Sequence, residues 1–143
     1  MNPNNENTIS LETAQDWTQR WRTQYPENSR AYLIPAVDLI EVLNEMGILA
    51  DDVAEQAQQY ATDNALDVRS YMAIEMLDSG ANLEKVILVG TQKGDDGVYR
   101  DIINGQVQVD AKSATKVLDN SSSGLFDVTS PCPPFCDPNS PLN

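Results

Sequence analysis

Cys132 and Cys136 are the chain's two thiols, the side chains best suited to redox, covalent or soft-metal chemistry. They stand in Ser130-Pro-Cys-Pro-Pro-Phe-Cys-Asp137, within a tail that carries five of the eight prolines. Thioredoxin-like chemistry places two residues between its cysteines at a helix N-terminus, so the wider spacing here is a poor match. Pro133 biases Cys132 away from the helical region, and Pro134 does the same to Pro133. A fully polyproline-like segment would hold the two Cα atoms roughly 12 Å apart. A disulfide needs roughly 5.5 Å, and so a turn through Pro134-Phe135 or a cis proline. A small disulfide loop, free thiols and a shared metal all remain open.

A metal is the weakest of the three. The chain has no histidine, and two cysteines supply half of a tetrahedral zinc site. Asp137 or a second chain would have to complete it. Asp95, Asp96 and Asp101 gather oxygens around Gly94 and Gly97, but their spacing is not that of a calcium loop, and an ordinary polar hairpin turn is the expectation. Without histidine, the usual general base and the Ser-His or Cys-His pairs are missing. Glu41, Glu45, Glu75 and Glu84 could form a carboxylate pair, yet no spacing brings a particular two together. The glycines at 90, 94 and 97 are not followed by the Lys-Ser/Thr of a phosphate loop. Trp17, Trp21, Tyr32 and Tyr71 could line a ligand site, although core packing is the simpler reading. No catalytic residue, metal or cofactor is expected.

At 143 residues with 41% hydrophobic content, the chain suits one domain. Its 22 acids against 9 bases give a net charge of −13, which repels phosphate backbones and anionic lipid. Nucleic acid and membrane are therefore not expected as partners, and a protein partner or self-association is. The opening residues lack the basic and apolar regions of a secretory signal, and no apolar run approaches bilayer length. A soluble cytoplasmic protein is expected, with export by a route that leaves no cleavable signal still open.

Elements must position these groups. Residues 1–8 are expected as a disordered terminus. Ser10 is placed to cap a helix over 11–22, with Leu11, Ala14, Trp17 and Trp21 on one stripe and an Asp16–Arg20 pair outside it. A short strand over 30–34 ends at Pro35. Asp38 and Glu41 have capping-box spacing ahead of a helix over 39–46, closed by Gly47. Asp51 or Asp52 can cap a third helix over 53–65, with Val53, Ala57, Tyr60 and Ala61 as a narrow apolar face. Residues 68–77 and 83–91 predict an antiparallel hairpin, and Val86-Ile-Leu-Val89 reads as a central strand covered on both faces. Strands over 98–103 and 106–109 flank Asn104-Gly105, a strong hairpin signal. Residues 110–124 read as a loop with at most a short helix over 111–118, and 125–129 as a last strand. The whole is an α+β domain over 9–129, a small, mostly antiparallel sheet packed with two or three helices, followed by an extended Pro/Cys-rich tail over 130–143.

Ile9-Ser-Leu11, Trp17, Trp21-Arg22, Leu33-Ile-Pro35, Asp38-Leu39, Asp67-Val-Arg-Ser-Tyr71, Val89-Gly90 and Phe126-Asp-Val-Thr-Ser-Pro-Cys-Pro-Pro-Phe-Cys-Asp137 with Ser140-Pro-Leu142 together resemble a family of short, uncharacterised bacterial proteins. These share an Asp-Phe-Thr-like strand running into a Pro-Cys-Pro, Cys-Asp, Ser-Pro-Leu ending. No established activity comes with the resemblance, so it implies no catalytic residue. Residues 51–64 depart from the pattern as an added helical segment.

The expected function is that of a non-enzymatic interaction or structural protein. Its tail, through Cys132, Pro133, Pro134, Phe135, Cys136 and Leu142, would dock on a partner or on its own sheet. The alternative is a redox- or metal-responsive module acting through Cys132 and Cys136. A self-assembling subunit is a third reading.

Overall fold

A computed structural model describes residues 7–109, 122–132 and 137–142. The first helix, α1 (Leu11–Gln24), begins directly after the extended Ser10, whose hydroxyl accepts the Thr13 N–H at 3.0 Å. Its Ala14 and Trp21 are buried and Leu11 and Trp17 half-buried, the stripe its spacing predicted. Arg20 and Asp16 pair across the outer face. The Trp21 indole N–H donates to the Ser29 carbonyl, which ties the helix end to the turn that follows.

β1 (Ala31–Pro35) runs straight into α2 (Ala36–Glu45). The capping box at Asp38 and Glu41 is not used, because the helix has already started before Asp38. Its first N–H, at Ala36, is instead accepted by the Asp67 carboxylate at 3.0 Å. At the other end Gly47 takes a φ of 73°, donating to Asn44 O while Ile48 donates to Leu43 O. That pair of bonds is a Schellman closure. α3 (Asp51–Asp63) likewise has no side-chain cap, and Asp51 accepts from Asn44 instead. Its inward face is Ala54, Ala57 and Ala61, whereas Val53 and Tyr60, expected in that face, are exposed. Small residues let α3 lie close to α2, and Gln58 reaches across to the Val37 carbonyl and the Glu41 carboxylate.

β2 (Leu66–Met76) and β3 (Asn82–Lys93) form the long antiparallel hairpin at the centre. β4 (Tyr99–Ile103) and β5 (Gln106–Val107) follow, then β6 (Leu125–Asp127). Asn104 and Gly105 both take positive φ, as a two-residue hairpin turn requires. The six strands pair antiparallel in the order β1-β2-β3-β4-β5, with β6 also on β3. The free edge of β3 is thus shared, residues 87–89 going to β6 and 91–93 to β4. Asn7 and Ile9 bond to Asp127 and Leu125, so pairing begins inside the segment expected to be disordered. Residues 1–6 and the expected helix over 111–118 lie outside the described residues.

The core forms on one face of this sheet, where Ala14 of α1 meets Ala73, Ile87, Val89, Ile103 and Leu125. The partners Tyr71↔Ile87 and Val89↔Leu125 put these side chains on the same side. β3 is therefore central, but its cover is unequal: Ile87 and Val89 are buried while Val86 and Leu88, facing the other way, are only half-buried.

Candidate functional site

Beyond Asp127 the chain leaves regular pairing but stays on β3. The Thr129 hydroxyl accepts the Val86 N–H at 3.1 Å and donates to the Val86 carbonyl at 3.2 Å, a side chain taking the place of the next ladder rung. Met72, Lys85 and Val86 then form, with Thr129, Pro131 and Cys132, a shallow cleft of about 190 Å³. Pro131 is half-buried there and Cys132 is exposed. Pro133, Pro134, Phe135 and Cys136 lie outside the described residues. The chain is described again from Asp137, where Ser140 N–H bonds the Asp137 carbonyl and Asn139 N–H the Asp137 carboxylate. Pro138 occupies the favoured second position of that turn. A second local bond, Leu142 N–H to Ser140 Oγ, holds the last described residue, whose side chain is 97% exposed.

Lys85, which also borders the cleft, sends its side chain to the α1 side of the sheet. Its ammonium lies 2.8 Å from Asp127 and 3.8 Å from Glu75, and 5.8 Å from the centre of the Trp17 ring. The ion pairs join β3 to β6 and β2, and the ring contact adds α1.

A second constellation escaped the sequence reading. Arg69 and Tyr71 on β2 and Asp101 on β4 meet across β3 on the α1 side of the sheet. Arg69 donates to Asp101 Oδ1 and to the Tyr99 carbonyl, and the Tyr71 hydroxyl donates to Asp101 Oδ2. Burial, together with the Asp101 hydrogen bond, pushes the Tyr71 phenol above its ordinary pKa. Burial works against the Arg69 charge, but the bond to Tyr71 and the Asp101 charge outweigh it and raise that pKa too. Beside the cluster a cavity of about 230 Å³ opens between α1 and the sheet, with Leu11, Gln15, Thr18 and Arg22 along its wall. The signal in the sequence was the i, i+2 placement of Arg69 and Tyr71 on one strand face. Nothing local pointed to Asp101.

That placement separates the acids once grouped as cation ligands. Asp101 turns to Arg69 and Tyr71, whereas Asp96 is held by Arg100 and by the Val98 N–H, which together keep its carboxyl well below the usual range. Two of the suggested carboxylates are held apart. Glu84 pairs in register with Ile74 and Glu75 with Leu83, so these two acids point to opposite faces. Glu84 accepts from the Tyr25 hydroxyl and Glu41 from Gln58. Of the aromatics, Trp21 is buried, Trp17 and Tyr71 pack on the core, and Tyr32 is exposed. Among the described residues no helix is long and apolar enough to cross a membrane.

Comparison with known families, with curated proteins and with solved structures gave no match.

Proposed function

We propose that the chain is a non-enzymatic interaction or structural protein whose C-terminal segment is anchored at its root by the protein's own sheet and offers its outer end to a protein partner. The carrying observation is the contrast between the two ends of that segment. Thr129 replaces a ladder rung on β3, while Leu142 stands 97% exposed. An anchored root lowers the entropy lost when the outer end is captured, and an apolar residue after a proline-restrained turn is a suitable anchor. The charge of −13 favours a protein over nucleic acid, and the compartment proposed is the cytoplasm.

Truncation after Thr129 tests this. Affinity capture by the full chain should be lost by the truncated one, with the melting temperature shifted by only a few degrees. Capture that survives, together with a sharp fall in melting temperature, would reduce the segment to a cover for the sheet edge.

One observation favours the second reading, a redox-responsive module. Cys132 carries no free thiol, and the chain has one other cysteine, Cys136. A reversible Cys132–Cys136 bridge would set the path of the outer segment. Intact mass with thiol counting, before and after reduction, tests it, and behaviour unchanged on Cys132→Ser would remove it.

A further inference from the structure

Among the described residues, the face of the sheet turned away from α1 lacks a full covering layer along β3 and β6. Leu39 of α2 stands over a floor of Val68, Leu88, Gly90, Phe126 and Val128, and between them runs an apolar groove of about 280 Å³. Phe126 and Val128 are exposed along it. The helix continues the apolar surface, because Leu39, Val42, Leu43 and Met46 recur at i, i+3, i+4 and i+7 and so share one arc. Val42, Leu43 and Met46 are exposed, and no residue of α2 is fully buried despite its apolar composition. A contiguous apolar surface of this kind marks an interaction site more often than chance exposure.

Charge says what kind of partner covers it. From Arg30 to Arg69 the chain has no other Lys or Arg, while Asp38, Glu41, Glu45, Asp51, Asp52 and Glu55 lie on α2 and α3. Among the described residues none of these acids takes part in an ion pair. Two copies facing each other here would oppose like charges on a chain already at −13, so a second copy is disfavoured. The floor is a sheet face whose backbone groups are spent in the β2, β3 and β6 ladders. An occupant therefore cannot add as a strand and must satisfy its own backbone, which an α-helix does.

We propose that the groove between α2 and the sheet receives an amphipathic α-helix of a basic partner protein, apolar side down on Leu39, Leu88 and Phe126, with its Lys and Arg residues facing the acids of α2. This reading is independent of the C-terminal segment.

A labelled synthetic Leu/Lys peptide with an amphipathic helical pattern, titrated with the full chain and followed by fluorescence anisotropy, tests it. Saturable binding is expected, and a scrambled Leu/Lys peptide and an amphipathic Leu/Glu peptide should each bind at least about ten-fold more weakly. Met46→Asp and Val128→Asp should each weaken binding by about ten-fold or more, although both add negative charge that would otherwise attract the peptide. Met76→Asp, at a residue 54% exposed outside the groove, should leave affinity within about two-fold. Should Val128→Asp unfold, Met46→Asp decides, since Met46 is 66% exposed on the helix surface. Equal binding of the scrambled or the Leu/Glu peptide, or unchanged affinity in Met46→Asp, would overturn the proposal. So would a dimer, seen by sedimentation, that Val128→Asp dissociates, because the groove would then belong to a second copy.

Discussion

The two faces of one sheet are built by the same strands and serve different ends. On the α1 side, Ala73, Ile87, Val89 and Leu125 close over Ala14, and the polar groups admitted there, Arg69, Tyr71 and Asp101, satisfy one another. On the α2 side, among the described residues, Leu88, Phe126 and Val128 meet only part of a helix none of whose residues is fully buried. Adjacent residues of β3 fall on opposite sides of this division. A strand that feeds both faces can therefore carry the fold with one set of side chains and leave the alternate set for contact with something else.

The largest effect should come from contrasting neighbours on β3. Ile87 is 1% exposed, and Ile87→Ala should cost about 2–5 kcal/mol through lost burial and an unfilled cavity. Leu88→Ala, one residue along on the half-buried side, should cost about 1 kcal/mol. Urea unfolding of the two variants measures the difference. Equal losses would mean that the second face is as well covered as the first and would remove the basis for the groove.

Next comes the polar cluster. Asp101→Ala leaves the Arg69 guanidinium and the Tyr71 hydroxyl without their shared acceptor and should cost about 1–3 kcal/mol. The lower half of that range is expected, because the Arg69 and Asp101 side chains remain 21% and 16% exposed. Tyr71 also gives the cluster a pH signature. Its pKa is raised by folding, so the folded state prefers the neutral phenol. The associated stability is complete below the ordinary tyrosine pKa of about 10 and declines as pH rises through the higher folded value. Denaturation midpoints between about pH 8 and 11.5 should fall less steeply in Tyr71→Phe than in the unchanged chain. Parallel curves for the two would mean that Tyr71 is not desolvated on the α1 side.

Thr129 tests the seam between the faces. Thr129→Val keeps the shape and removes the hydroxyl that serves both backbone groups of Val86, at an expected cost of about 1 kcal/mol. Proteolysis should also become faster between Thr129 and Cys132, since the root of the segment loses its hold. Unchanged cleavage would show that Pro131 in its cleft, rather than Thr129, does the anchoring.

What could be read ahead of the structure follows a physical line. The α1 stripe, the Ser10 cap and the Asn104-Gly105 turn depend on residues within a few positions of each other, and all three are found as expected. Asp38 misled because a capping box is also local, whereas the true cap of α2 comes from Asp67, on a strand that pairs with the preceding one. On α3, hydrophobicity favoured Val53 and Tyr60, but close approach to α2 selects the small side chains of Ala54, Ala57 and Ala61. The Arg69–Tyr71–Asp101 cluster needs β3 threaded between its members, a relation that no spacing encodes. The cysteine spacing was fully legible, while Cys136 lies outside the described residues.

The smallest effect is the one that separates a surface kept for contact from a surface kept for folding. Val42 lies on the exposed arc of α2, so Val42→Gln removes apolar area that the folded chain never buries completely. Stability should change by no more than about 0.5 kcal/mol. A slight gain is the expected direction, because glutamine loses less side-chain freedom in a helix than valine does. The same replacement on the inward stripe of α1, Ala14→Gln, should destabilise by about 1–3 kcal/mol, since it places a polar amide against the apolar Ile87 and Leu125. Thermal unfolding of the two variants compares two helices that flank one sheet. If Val42→Gln proved as costly as Ala14→Gln, the outer arc of α2 would be part of the core and unavailable to a partner helix.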